Sequence, residues 1–261
     1  MEHFVWNADP VLFSFGSFSI HWYGVFFATA ILSGFQIMNF IYRHENKSIK
    51  QLETLQIYIV IGIVVGARLG HCLFYDPAYY LSNPLKILAV NEGGLASHGG
   101  GLGAILATFI YAKKDKIDFL YLLDRLAIPT AAFAFFVRMG NLMNSEIVGH
   151  ETTVSWGVVF PRVDDLVRHP TQVYEALSYF IIFFLLSAIY LYTKKAQNRG
   201  YIFGVFLLTV FSARIVIEFV KVKQAAYENI LAMSTGQLLS IPFMLVAIYL
   251  IVSSYKRVAK K

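Results

Sequence analysis

Uncharged stretches long enough to cross a bilayer recur along this chain. Four contain no Asp, Glu, Lys or Arg: Ser19–Tyr42, Gly93–Ala112, Ala176–Thr193 and Asn229–Tyr255. A hydrocarbon core of about 30 Å is crossed by about 20 helical residues, so each run has roughly the required length. Three further apolar runs carry internal charge: Thr54–Tyr75 with Arg68, Phe119–Arg138 with Asp124 and Arg125, and Gly200–Val220 with Arg214 and Glu218. Lipid cannot satisfy an open backbone, and barrel strands need only about 10 residues, so the runs are expected to be helical. The pattern predicts an all-α polytopic membrane protein, a bundle of about seven transmembrane helices forming one membrane-embedded domain over residues 1–261.

Composition agrees with that solvent. Of the 261 residues 57% are hydrophobic and 15% charged, against about 25% charged in soluble domains. Basic residues then predict sidedness. Thirteen fall in the connections after helices one, three and five and in the tail: Arg43, Lys47, Lys50, Lys113, Lys114, Lys116, Lys194, Lys195, Arg199, Lys256, Arg257, Lys260 and Lys261. Five fall on the other side: Lys86, Arg162, Arg168, Lys221 and Lys223. The N-terminus is therefore expected outside and the C-terminus in the cytoplasm. The net charge of +6 reflects this inside bias and attraction to anionic lipid; no basic groove suggests nucleic acid. Residues 1–18 lack a basic n-region, so no cleavable signal peptide is expected. The connection Met139–Gln172, 34 residues with Trp156, Gly157, Pro161 and Pro170, is too long for a plain link and predicts a small external head. A single cysteine, Cys72, excludes an internal disulfide and is expected to be inert.

The costly residues share one depth. On this topology Tyr23 and His98 begin inward-running helices, while Arg68, Arg138, Arg214 and Glu218 lie towards the outer ends of outward-running ones. Asp124 and Arg125 fall deeper or on the cytoplasmic side. A charge inside a span costs at least ~2.5 kcal/mol on insertion scales, so this clustering needs a reason. Arg214, Glu218 and Lys221 share a helical face by their spacing, as do Arg138, Asn141 and Asn144 if their helix continues that far. Six glycines between Gly93 and Gly103 allow close approach of a helix, or of a lipid head and glycerol at Gly99, Gly100 and Gly103. The Gly62, Gly66, Gly70 ridge reads as helix packing. Arg68 suits either a site role or a snorkelling side chain, and Arg214 with Glu218 suits an internal ion pair. Ser97 and His98 are helix neighbours about 100° apart and make no dyad. Hydrolase-elbow, zincin and phosphate-loop patterns are absent, and no metal or cofactor is expected. What remains is a set of cationic donors, amides and an imidazole suited to an anionic lipid head. Two other readings use the same residues: a carrier for an anionic solute, which would need polar positions reaching both faces, and a non-catalytic lipid-binding scaffold.

Several segments together resemble the prolipoprotein diacylglyceryl transferase family over nearly the whole chain. They are His21-Trp22-Tyr23-Gly24, Glu92-Gly93-Gly94 with His98-Gly99-Gly100-Gly101-Leu102-Gly103, and Arg138-Met139-Gly140-Asn141-Leu142-Met143-Asn144-Ser145-Glu146. Arg168-His169-Pro170-Thr171-Gln172-Val173-Tyr174-Glu175-Ala176 and the Arg214 to Glu218 pair complete the set. The resemblance implies a multi-pass enzyme of the bacterial cytoplasmic membrane, its site towards the outer leaflet. It implies transfer of a diacylglyceryl group from phosphatidylglycerol to the lipobox cysteine of a prolipoprotein, with glycerol phosphate leaving. Tyr23, His98, Arg138, Asn141, Glu146, Gly149, Arg214 and Glu218 fall on the family's functional positions. Lys221 stands where an arginine is expected and Ser145 where glycine is usual. Lysine keeps the charge but loses the bidentate fork. Arg138 and Arg214 then suit the departing phosphate, with Glu218 orienting Arg214 by an ion pair. Tyr23 and Asn141 suit its remaining oxygens. His98 suits either a general base for the incoming thiol or a hydrogen-bond donor to the lipid.

Overall fold

Aromatic and serine residues alternate just before the first long helix, and that alternation becomes a hairpin. The computed structural model describes residues 3–16, 18–89, 93–222 and 233–258. Glu92, Lys223, Lys260, Lys261 and the first residues of the last expected span, 229–232, lie outside the described residues. In chain order the elements are β1 (Phe4–Val5), β2 (Val11–Phe15), β3 (Phe18–His21), α1 (Trp22–His44), α2 (Ile49–Phe74), α3 (Pro77–Ser82), α4 (Ser97–Lys114) and α5 (Phe119–Met143). They continue as β4 (Val158–Val159), β5 (Val167–Arg168), α6 (Thr171–Tyr192), α7 (Tyr201–Glu218) and α8 (Thr235–Val258).

Six helices are long and apolar enough to cross a membrane: α1, α2, α5, α6, α7 and α8. The expected seventh span corresponds to α4, 18 residues long. It falls short because its first turns hold His98 and four glycines and its last holds Lys113 and Lys114. The first span was expected from Ser19; the helix starts at Trp22, because Phe13, Ser14 and Phe15 pair with Ile20, Ser19 and Phe18 across a turn at Gly16. Gly16 has a φ of +59°, a conformation that costs glycine little.

Two compact units divide the chain, residues 39–123 and residues 1–38 with 124–261. In the first, α2 and α4 meet along glycines. A Cβ on Gly62 would fall 2.5 Å from the Gly103 carbonyl oxygen, and one on Gly66 2.4 Å from that of Gly99. The backbones thus touch where side chains would otherwise stand, and the ridge packs as its spacing predicts. Arg68 does not snorkel. It is 3% exposed and donates to the carbonyls of Lys86, Ile87, Gly93 and Gly94 at 2.5, 2.9, 2.5 and 3.3 Å. Carbonyls from a 3-10 turn over residues 84–88 and from Gly93 and Gly94 satisfy the guanidinium, which offsets the cost of burying it. Cys72 is buried as a free thiol.

In the second unit α7 and α8 pair, with Phe211 and Phe243 stacked at 4.5 Å and Gly204 against the Ala247 carbonyl. Asp124 caps α7 by accepting from the amides of Gly200 and Phe203 at 2.7 and 2.8 Å. These are two of the donors a helix start leaves open. Residues 144–170 build a small head with a three-stranded sheet in the order β1-β4-β5. The chain's own N-terminus supplies β1, parallel to β4, and Trp6 donates its indole N–H to the Leu142 carbonyl at 2.9 Å. Helix α5 itself runs on to Met143, four residues beyond the start expected for the head.

Candidate functional site

The site is built where α5 leaves its span and α6 enters. Because α5 continues past Arg138, Asn141 stands one turn along the same face, and Arg138 Nη1 donates to Asn141 Oδ1 at 2.9 Å. The amide's other end donates from Nδ2 to Glu146 Oε2 at 2.9 Å. A cation on one side and a carboxylate on the other fix which way the amide points. Asn144 Nδ2 reaches the second Glu146 oxygen at 3.0 Å.

Glu146 gets there through backbone that side chains rarely adopt. Ser145 and Ile147 have φ of 55° and 57°, a conformation that costs a non-glycine residue about 1–2 kcal/mol. Gln172, fully buried, repays part of it by donating to the Glu146 carbonyl at 2.5 Å, and Thr171 donates to that of Ile147 at 2.6 Å. Gly149 closes the loop. Its N–H donates to the His169 carbonyl at 2.9 Å, and a Cβ there would lie 2.5 Å from the Val220 carbonyl oxygen. Gly149 therefore shapes the loop by being small. Arg168 ties the loop down by pairing with Asp164 and donating to the Gly149 carbonyl at 3.1 Å. The guanidinium holds the Asp164 carboxyl below its usual range.

Two residues absent from the expected site complete it. Glu175 on α6, 4% exposed, is ion-paired with Arg138 Nε at 2.8 Å and accepts from Lys221 Nζ at 3.2 Å. A carboxylate buried alone would be costly by several kcal/mol; two cations offset that cost. Tyr179, one turn further on, is a hydrogen-bond partner of Arg138 and stands in the field of Arg214. The two arginines, on different helices, thus both act on one phenol through their charge. Of the two missed residues, only Glu175 had a signal in the sequence: it borders an 18-residue uncharged run, where an acid needs a cation from elsewhere.

Other expected residues fall as follows. Tyr23 lies flat over Gly140, where a Cβ would be 2.8 Å from its ring, so it abuts the Arg138–Asn141 turn. Arg214 and Glu218 are not ion-paired among the described residues. The Glu218 carboxylate lies against Gly236, whose Cβ position is 2.6 Å from it. A shared face permitted the pair, but Glu218 is the last residue of α7 and turns to the start of α8 instead. Arg214 has no ion pair or hydrogen bond among the described residues, which leaves its fork open. His98 is exposed at the start of α4. Gly99 and Gly103 face the glycines of α2, and Gly100 lies 3.5 Å from Ala67, so helix packing accounts for all three.

Chemically, the second unit presents one open guanidinium, one held guanidinium, a phenol and an amide beside an exposed carboxylate. Such a set can hold a phosphate and stabilise charge that grows on it. Residues 10–253 match the family model described as prolipoprotein diacylglyceryl transferase. Among similar proteins, the phosphatidylglycerol–prolipoprotein diacylglyceryl transferase of Tolumonas auensis is 53% identical over 98% of this chain and 99% of its own length. The proteins of the same name from Chloroherpeton thalassium and Bacteroides fragilis are 44% and 43% identical, covering 98% and 94% of this chain and 96% and 92% of their own. A match of that extent leaves one conclusion: the chain belongs to the prolipoprotein diacylglyceryl transferase family.

Proposed function

We propose that this protein transfers the diacylglyceryl group of phosphatidylglycerol to the thiol of a lipobox cysteine in a prolipoprotein. A thioether forms, glycerol phosphate leaves, and the product enters bacterial lipoprotein maturation as its first intermediate. Family membership supports the reaction, and the relatives' names couple the two substrates. The observation that carries the mechanism is the anchored Arg138, held by Asn141 and Glu175, with Arg214, unpaired among the described residues, acting on the same phenol, Tyr179.

The attacked atom is a glycerol carbon. As its bond to oxygen breaks, the phosphate passes from a diester with one negative charge towards a monoester with up to two. Arg214 and the free edge of Arg138 receive that charge in a site screened from water, where fixed donors act most strongly. Tyr23 and Asn141 hold other phosphate or glycerol oxygens, and Glu146, Gly149 and Glu218 shape the pocket for the lipid head. A free thiol is only about 3% thiolate at pH 7, so the nucleophile needs a base. His98 takes that role on chemical grounds, since imidazole ordinarily titrates near neutrality. No cofactor enters the scheme.

In this reading residues 1–261 form one membrane-embedded transferase domain in the bacterial cytoplasmic membrane. Helix α4 is the seventh span, the N-terminus and the head at about 139–172 lie outside, and the C-terminus is cytoplasmic. The test is lipidation of a precursor in purified membranes with phosphatidylglycerol supplied or withheld, read as a mass shift on the cysteine. Arg138→Ala and Arg214→Ala are each expected to slow transfer by about 10²–10³, and His98→Gln to slow it while phosphatidylglycerol still binds. Near-normal rates in both arginine variants would overturn the phosphate assignment. Flux of an anion without conversion would favour a carrier.

A further inference from the structure

Glu175 is a puzzle for a site built to receive anions. It lies 4% exposed, and its two oxygens take Arg138 Nε at 2.8 Å and Lys221 Nζ at 3.2 Å. It thereby occupies cations beside the place where a phosphate would sit. Arg138 is also held by Asn141 at 2.9 Å, so it cannot swing away from Glu175 freely, and Lys221 is fixed from behind by its backbone bridge to Gly149. The three charged groups are therefore anchored within reach of one another.

We propose that Glu175 is the resident counter-anion of the phosphate site, sharing Arg138 and Lys221 with the phosphate of the substrate and drawing them back when the product leaves. This rests on the reading given under Proposed function. It answers a problem that reading creates: two or three cations that stabilise a departing dianion also retain it. A built-in carboxylate lowers the affinity for that dianion while leaving Arg214 to meet the charge as it grows. It also gives Lys221 a task that a lysine performs as well as an arginine. A single carboxylate oxygen at 3.2 Å needs a point charge, not a bidentate fork. Glu175 is on this account a positioning residue, acting through Arg138 and Lys221.

Glycerol 1-phosphate is the probe, titrated into the purified full-length protein in detergent by calorimetry, a readout that needs no turnover. Glu175→Gln removes the competing charge and is expected to bind the probe about tenfold tighter, since close charge pairs couple by at least that factor. In the transfer assay its KM for phosphatidylglycerol does not rise, while kcat falls as product lingers. Lys221→Met removes a cation and leaves Glu175 to Arg138 alone, and is expected to bind the probe about tenfold weaker. A purely structural role for Glu175 would not tighten anion binding. Unchanged or weaker binding by Glu175→Gln, or no binding by any form, overturns the proposal. Should that variant fail to fold, unchanged affinity in Lys221→Met overturns it alone. Loss of the precursor mass shift in the unmodified protein would instead sink the transferase reading, leaving the binding result to stand by itself.

Discussion

His169 lies where β5 passes into α6, its Nδ1 3.2 Å from the Tyr174 hydroxyl. Burial, and then the neighbouring His150, hold its pKa below the ordinary imidazole value of 6.5. The unfolded chain therefore binds a proton there that the folded head refuses. Stability from this residue is complete above about pH 6.5 and is lost as the pH falls from there towards the lowered folded value. Melting in detergent at pH 5.5 and 7.5 should show an acid-side drop that His169→Gln reduces; an equal drop in both proteins would exclude this histidine as its source. The same segment shows how much of the site was legible. Arg138 and Asn141 were readable because polar residues at helical spacing end an apolar run, and Glu146 only through the family resemblance. Glu175 and Tyr179 were not singled out, because their partners lie on α5 and α7 and only the fold brings them together. The Arg214 to Glu218 pairing failed for the converse reason, since spacing shows which residues share a face but not which neighbour each one meets.

Along the elements, uncharged length was a reliable guide to helices and a poor one to their ends. Helix α6 starts at Thr171, five residues before the uncharged run, because Gln172 and Glu175 are buried with partners instead of facing lipid. At Ser19–His21 the apolar count hid a period of two, and the hairpin took residues that a span of average length did not need. The α2 side of the α2–α4 seam was legible, because glycines four apart have few other uses in a membrane, whereas Gly99, Gly100 and Gly103 on α4 suited a lipid head equally well in the sequence. It also predicts sharply different outcomes for two nearby positions. A Cβ on Gly103 would fall 2.0 Å from the Gly62 carbonyl oxygen, whereas one on Gly101 meets nothing within 4 Å. Gly103→Ala should cost about 1–3 kcal/mol by overpacking, read as an earlier midpoint of unfolding in SDS. Gly101→Ala should cost nothing or raise the midpoint, since alanine is the better helix former. Equal midpoints for the two variants would show that the helices yield at this seam.

For the molecule as a whole, the excess of basic residues in the connections after α1, α4 and α6 predicts which way it lies. The buried natural thiol of Cys72 gives a quiet background for measuring it. A cysteine at Trp156, 63% exposed in the head, should react with a membrane-impermeant maleimide on intact cells, while one at Lys195 should react only after lysis. The reverse pattern would invert the topology and set the head in the cytoplasm. Sidedness bears in turn on how the molecule is made. Phe4 and Val5 leave the ribosome long before their strand partners Val158 and Val159, which lie about 150 residues further along the chain. Four long helices, α1, α2, α4 and α5, are synthesised in that interval, while β1 waits with its ladder hydrogen bonds unmade. Closure of the head thus waits for residues far along the chain, and anything joined on the β1 side acts on that closure rather than on the folding of the first helices.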